Sequence, residues 1–141
     1  MKPLHPTITG NVGIIEETKL LVVTCTTTGS RPKATLQWTI GQKDVTSNAT
    51  ERSSYITASD TYTVISDLTY SVGKNDNGQI LTCKAIHVAA PSGVLTSITL
   101  NVKCELNTVL ATNKRYLISE LVMFVLYFGY DYSITVDLIL T

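Results

Sequence analysis

The sequence predicts an all-β fold: two antiparallel sheets packed face to face, about seven strands in all, filling residues 1–103. Three observations predict it. Apolar residues alternate with polar ones at a period of two in several short runs, the signature of strands with one face buried and one face wet. Clusters of Gly, Pro, Asn, Asp and Ser punctuate those runs at the spacing of turns. A single tryptophan, Trp38, lies in one such run, with Cys25 and Cys83 in runs on either side of it. Packed sheets stand about 10 Å apart, so the space between them takes a ring of that size.

Taken in order, residues 6–10 read as a short edge strand, where Pro6 is tolerated because an edge need not donate every amide. Residues 11–18 read as a turn carrying Glu16 and Glu17. A strand follows over 19–27, with Leu21, Val23 and Cys25 on one face. Gly29-Ser30-Arg31-Pro32 turns the chain into a strand over 33–40, where Leu36, Trp38 and Ile40 point inward and Thr35, Gln37 and Thr39 outward. Residues 41–60 are polar and are expected to be loop, with one short strand at Tyr55-Ile56-Thr57. The strand over 61–72 turns Tyr62, Val64, Leu68, Tyr70 and Val72 inward, broken at Ser66. Residues 73–78 form a corner before the strand 79–88. Residues 89–93 are the next turn, and the strand 94–103 has Ile98, Leu100 and Val102 inward. The expectation is seven strands, no repeat and no helix.

The run Asp76-Asn77-Gly78-Gln79-Ile80-Leu81-Thr82-Cys83 resembles the turn and strand that carry the Asp-x-Gly-x-Tyr-x-Cys motif of immunoglobulin superfamily domains. Asp76, Gly78 and Cys83 are its matches. Leu81 stands in place of the corner tyrosine, so the hydroxyl bond to the backbone that the family makes there is lost. Together with the stretch from Cys25 to Trp38, this portion is similar to the C2-type domains of nectins, nectin-like cell adhesion molecules and nephrin-like receptors. The resemblance covers about the first hundred residues.

It implies a Cys25–Cys83 disulfide beside Trp38, with Cys104 left over from the three cysteines. A bridge closing so long a loop contributes about 4 kcal/mol on the chain-entropy model, and it implies an oxidising, extracellular setting. Muscle-type intracellular domains keep the same pair as buried thiols, and that alternative stands beside it. The resemblance further implies a non-enzymatic domain of a cell-surface adhesion receptor, on the extracellular side of the plasma membrane. Its partner would be an immunoglobulin superfamily adhesion receptor, homophilic or heterophilic. The ectodomain of an immune-type regulatory receptor or ligand is the other reading.

Composition weighs against other classes. Eleven basic residues balance eleven acidic ones in 141, so no field of one sign draws nucleic acid or an anionic membrane. The two histidines, His5 and His87, stand in no catalytic or metal-binding motif. Neither a small-molecule substrate nor a cofactor is expected, and the acidic and amide residues at 75–77 are read as turn rather than calcium ligands. Asn48-Ala49-Thr50 is an N-glycosylation sequon on a polar segment.

The partner face is expected on alternate outward positions. Gln37 and Thr39, with Thr35, lie on one strand, and Ile80, Thr82, Lys84 and Ile86 on the second. Ser97 and Thr99 lie on a third.

Residues 104–141 change character, holding both phenylalanines and four of the seven tyrosines. They are expected to lie outside the domain. Their uninterrupted apolar run, residues 121–128, falls short of the roughly 20 residues a membrane helix needs. Glu120, Asp131 and Asp137 flank it, so a translated non-coding extension or aberrant splice end is the preferred reading. Residues 1–6 lack the apolar core of a signal peptide, so the chain is expected to be a fragment of a longer receptor.

Overall fold

The computed structural model describes Met1–Cys104. The strands are β1 (Thr7–Gly10), β2 (Ile14–Glu16), β3 (Leu20–Ser30), β4 (Thr35–Ile40), β5 (Lys43–Asp44), β6 (Ala49–Ile56), β7 (Thr61–Ser71), β8 (Ile80–His87), β9 (Ala90–Thr99) and β10 (Asn101–Lys103). They form a four-stranded sheet in the order β1-β3-β7-β6, a second in the order β5-β4-β8-β9, and a parallel pair of β2 with β10. Two 3-10 turns, Thr46–Asn48 and Lys74–Asp76, are the only helical pieces among the described residues.

The core is where the alternation placed it, except that Tyr62 stays outside it, half-buried against Tyr55. Leu21, Val23, Cys25, Leu36, Trp38, Ile40, Val64, Leu68, Val72, Leu81, Cys83, Leu100 and Val102 are buried in one cluster, against which Tyr70 and Ile98 pack half-buried. At its centre four residues close a ring between the sheets. Cys25 is the cross-strand partner of Ser66, and Trp38 that of Cys83. Cys25 and Cys83 are bonded across the sandwich with Cα atoms 6.5 Å apart, and Trp38 Nε1 donates to Ser66 Oγ at 3.0 Å. Ser66 therefore does not break its strand. It lies on the inward face in step with Val64 and Leu68, and it gives the buried indole N–H the acceptor that its burial demands.

Four expectations for the strands are corrected. Residues 11–18 are not all turn: Ile14–Glu16 pairs in parallel with Asn101–Lys103, burying Ile15. Strand β3 continues through a bulge to Ser30, whose Oγ accepts from the Ala34 N–H at 3.2 Å. The polar segment 41–60 holds a full eight-residue strand, β6, rather than a short one at 55–57; it is an edge with nearly every residue exposed, so it has no apolar period to read. The turn expected at 89–93 shrinks to Val88-Ala89, because Pro91 and Gly93 lie within β9. An edge strand tolerates both: it need not donate every amide, and Gly93 adopts φ 76° beneath the stem of Lys84.

The corner before β8 holds without a tyrosine. Gly78 precedes Cys83 by one residue more than the family motif allows, and Leu81 packs into the core. Asp76 Oδ2 accepts from the Gly73 N–H at 2.8 Å, and Asn77 Oδ1 accepts from the Val102 N–H at 2.9 Å. Gly78, at φ 77°, donates to the Leu100 carbonyl at 2.9 Å. Two side chains and a glycine thus do the bracing that one phenol does elsewhere. The expectations for residues 105–141 lie outside the described residues; Cys104 is exposed and outside the disulfide.

Candidate functional site

The residues expected to face a partner lie on one sheet, β5-β4-β8-β9, because strand parity is set by the buried Trp38 and Cys83. Its register arranges them in rows. Thr39 opposes Thr82, which opposes Ser97; Gln37 opposes Lys84, which opposes Leu95. Thr35 opposes Ile86 at one end, and Ile80 opposes Thr99 at the other. Thr82 Oγ1 and Ser97 Oγ share a hydrogen bond of 2.9 Å across β8 and β9.

Two features of this face were not read from the sequence. Leu95 is an exposed outward residue, 49% accessible and directly beside Lys84, whose stem also covers Gly93. Its alternation with Val94 and Thr96 was the available signal. Ile80 and Ile86 do not form one patch. Six residues of a strand separate them by about 20 Å, with Thr82 and Lys84 between, so they mark opposite ends of the face.

Charge is sparse. Lys84 is the one charged residue on the β4, β8 and β9 rows, and Lys43 and Asp44 flank them on β5. Gln37 Nε2 donates to Asp44 Oδ2 at 3.0 Å, and the Thr46 N–H donates to Asp44 Oδ1 at 2.9 Å. Hydrogen bonding from Thr46, with less from Gln37, holds the Asp44 carboxyl below the usual aspartate range. Lys43 Nζ reaches the Tyr70 hydroxyl at 3.2 Å and stands 5.2 Å from the ring centroid. Among the described residues no three histidine, cysteine or acidic side chains gather where a metal could sit. His87 spends both ring nitrogens on structure: Nδ1 accepts from the Ala89 N–H at 3.0 Å, so Nε2 carries the proton to the Pro32 carbonyl at 2.9 Å.

Asn48 is exposed at the end of a 3-10 turn, and Thr50 is exposed at the start of β6. Thr50 belongs to the other sheet, and Asn48 lies in the turn that joins β5 to it.

Two antiparallel sheets pinned by a cystine against a buried tryptophan define an immunoglobulin-type sandwich. Its subclass follows from comparison with known proteins. The chain belongs to the CD80-like C2-set immunoglobulin domain family, whose model matches residues 6–93. It is 31% identical over 85 residues to Cell adhesion molecule 3 of Homo sapiens, a match covering 60% of this chain and 21% of that protein. The chain thus spans about a fifth of the curated relative it matches. Among solved structures, Rst D1-D2 superposes with a TM-score of 0.64 at 24% identity, covering 72% of this chain and 50% of that one. The full ectodomain (Ig1-Ig3) of mouse nectin-like molecule 4 superposes with a TM-score of 0.62 at 24% identity, covering 72% and 34%. At that identity the two structures speak for the fold alone.

Proposed function

We propose that this chain supplies a recognition domain of a cell-surface adhesion receptor, without catalytic chemistry, and that the outer face of β5-β4-β8-β9 meets another immunoglobulin superfamily protein. The observation that carries this is the character of the face. It bears one charge over three strands and displays Ile80, Ile86 and Leu95 among threonines and Gln37. Protein interfaces carry fewer lysines and acidic residues than the rest of a protein surface, and on these three strands Lys84 stands alone. The likeness to a human cell adhesion molecule and the disulfide of an oxidising compartment support the same reading. Asn48, outside the face, is the glycan acceptor in this scheme.

The test uses the receptor displayed on cells. Ile80→Thr with Ile86→Gln should lower cell aggregation while the melting temperature holds, since both side chains are exposed. Aggregation equal to that of the parent would remove the face from recognition and leave the domain a spacer. The secreted protein should also lose mass on enzymatic deglycosylation, and Asn48→Gln should abolish that loss.

A further inference from the structure

The free edge of β9 differs from every other edge among the described residues. Strand β6 carries Glu51 and Arg52, β5 is two residues long and consists of Lys43 and Asp44, and β1 is four residues long. These are the ways in which sheet edges avoid pairing with strangers. Strand β9 has none of them over its lower half. No charged residue occurs from Val88 to Val102, and residues 94–99 read Val-Leu-Thr-Ser-Ile-Thr, rich in the β-branched types that favour strands.

The backbone shows which groups are on offer. Leu100 donates to the Gln79 carbonyl at 2.8 Å and accepts from the Gly78 N–H at 2.9 Å, so at that position the chain bonds toward β8. In an antiparallel ladder only alternate residues bond to a given neighbour. Leu95, Ser97 and Thr99 therefore turn their N–H and C=O groups away from β8. Among the described residues no strand pairs with that side of β9. The free run is bounded by Gly93, in its positive-φ conformation, and by Leu100, after which β10 pairs with β2.

We infer that the β9 edge is a self-association site, at which a second copy of this chain adds its own β9 antiparallel about a two-fold axis through Ser97. That axis opposes Ser97 to itself and Leu95 to Thr99, and each of the three pairs so formed exchanges two hydrogen bonds. It opposes outward residues only to outward ones, so both cores stay on the same side of the joined sheet. Two four-stranded sheets become one of eight, and the two outer faces become continuous. Self-pairing requires that no like charges meet across the axis. The uncharged run meets that requirement in every register.

The experiment is sedimentation velocity on the full secreted chain over a range of concentrations. A reversible dimer is expected. Ser97→Lys and Ser97→Glu should each weaken it by about tenfold or more, because identical charges then meet on the axis. Mixing the two variants in equal amounts should restore association. Ser97 is exposed, so melting temperatures should stay close to the parent value. Hydrogen exchange at Leu95, Ser97 and Thr99 should slow as concentration rises. A monomer at all concentrations would overturn the inference, as would a dimer that both substitutions leave intact or exchange indifferent to concentration. Because the aggregation test alters Ile80 and Ile86 and this one alters Ser97, either reading can fail alone.

Discussion

The sheet β5-β4-β8-β9 has two edges, and they are finished in opposite ways. On the β4 side, β5 pairs only with Thr39 and Ile40, and the chain then leaves. The backbone that β5 does not reach is taken up by side chains and one loop amide. Thr46 Oγ1 accepts from the Trp38 N–H at 2.9 Å and faces the Trp38 carbonyl at 3.3 Å, which also accepts from the Val45 N–H at 3.0 Å. Glu51 reaches across from β6, and its Oε2 accepts from the Leu36 N–H at 2.9 Å. On the β9 side nothing of the kind occurs among the described residues. The difference follows burial. Leu36, Trp38 and Val45 are buried, and a polar backbone group left unpaired beside them would cost about 1–3 kcal/mol. The β9 edge lies beside residues open to water, which satisfies its amides until a better partner arrives.

The largest effect should come from Thr46→Val, which keeps the shape of the side chain and removes the hydroxyl. Both contacts to the Trp38 backbone disappear together, and stability should fall by about 2 kcal/mol in urea unfolding. Ser97→Ala on the other edge should change it by less than about 0.5 kcal/mol. Equal effects at the two positions would end the distinction between the edges.

Glu51→Ala comes next, at about 1 kcal/mol, because its carboxylate is part-exposed and the orphaned Leu36 amide can recruit water. Glu51→Gln should cost less than half of that, since the amide oxygen still accepts. A glutamine as damaging as alanine would mean that the contact with Lys33, 3.8 Å away, matters more than the bond to Leu36.

How much of this could be read from the chain depended on whether a residue's role was periodic. Leu36, Trp38 and Ile40, or Leu21, Val23 and Cys25, announce a buried face by alternation, and the outward parity of Gln37, Thr39, Thr82 and Lys84 follows at once. Strand β6 was hidden because an edge exposed on both faces has no alternation, and β2 because three residues paired to a distant segment leave no local trace. Ser66 looked like a fault in its strand until the indole N–H it serves was in view. Pro91 and Gly93 signalled a turn but lie where an edge strand can hold them. The bonds from Thr46 and Glu51 to β4 depend on how two segments approach in space. No spacing along the chain encodes them.

The smallest expected effect is a pH dependence confined to the closed edge. Asp44 accepts from Thr46 and Gln37, and these bonds favour the ionised carboxyl, so its pKa is lower in the folded chain than in the unfolded one. A depressed folded pKa contributes stability that is complete above the unfolded value, about 3.9 for aspartate, and is lost as pH falls through the folded value. The stability difference between the parent and Asp44→Asn should therefore be flat from about pH 7 to about pH 5 and shrink below about pH 4. Asp67, held low by the Thr24 hydroxyl and by Arg52, contributes its own acid sensitivity from the other sheet, but it is present in both proteins and cancels. No acidic, basic or histidine side chain lies on β9, so the difference between the parent and Ser97→Ala should stay flat over the same range. A slope appearing at Ser97 and missing at Asp44 would show that the acid response originates elsewhere than in the side chains that close the β4 edge.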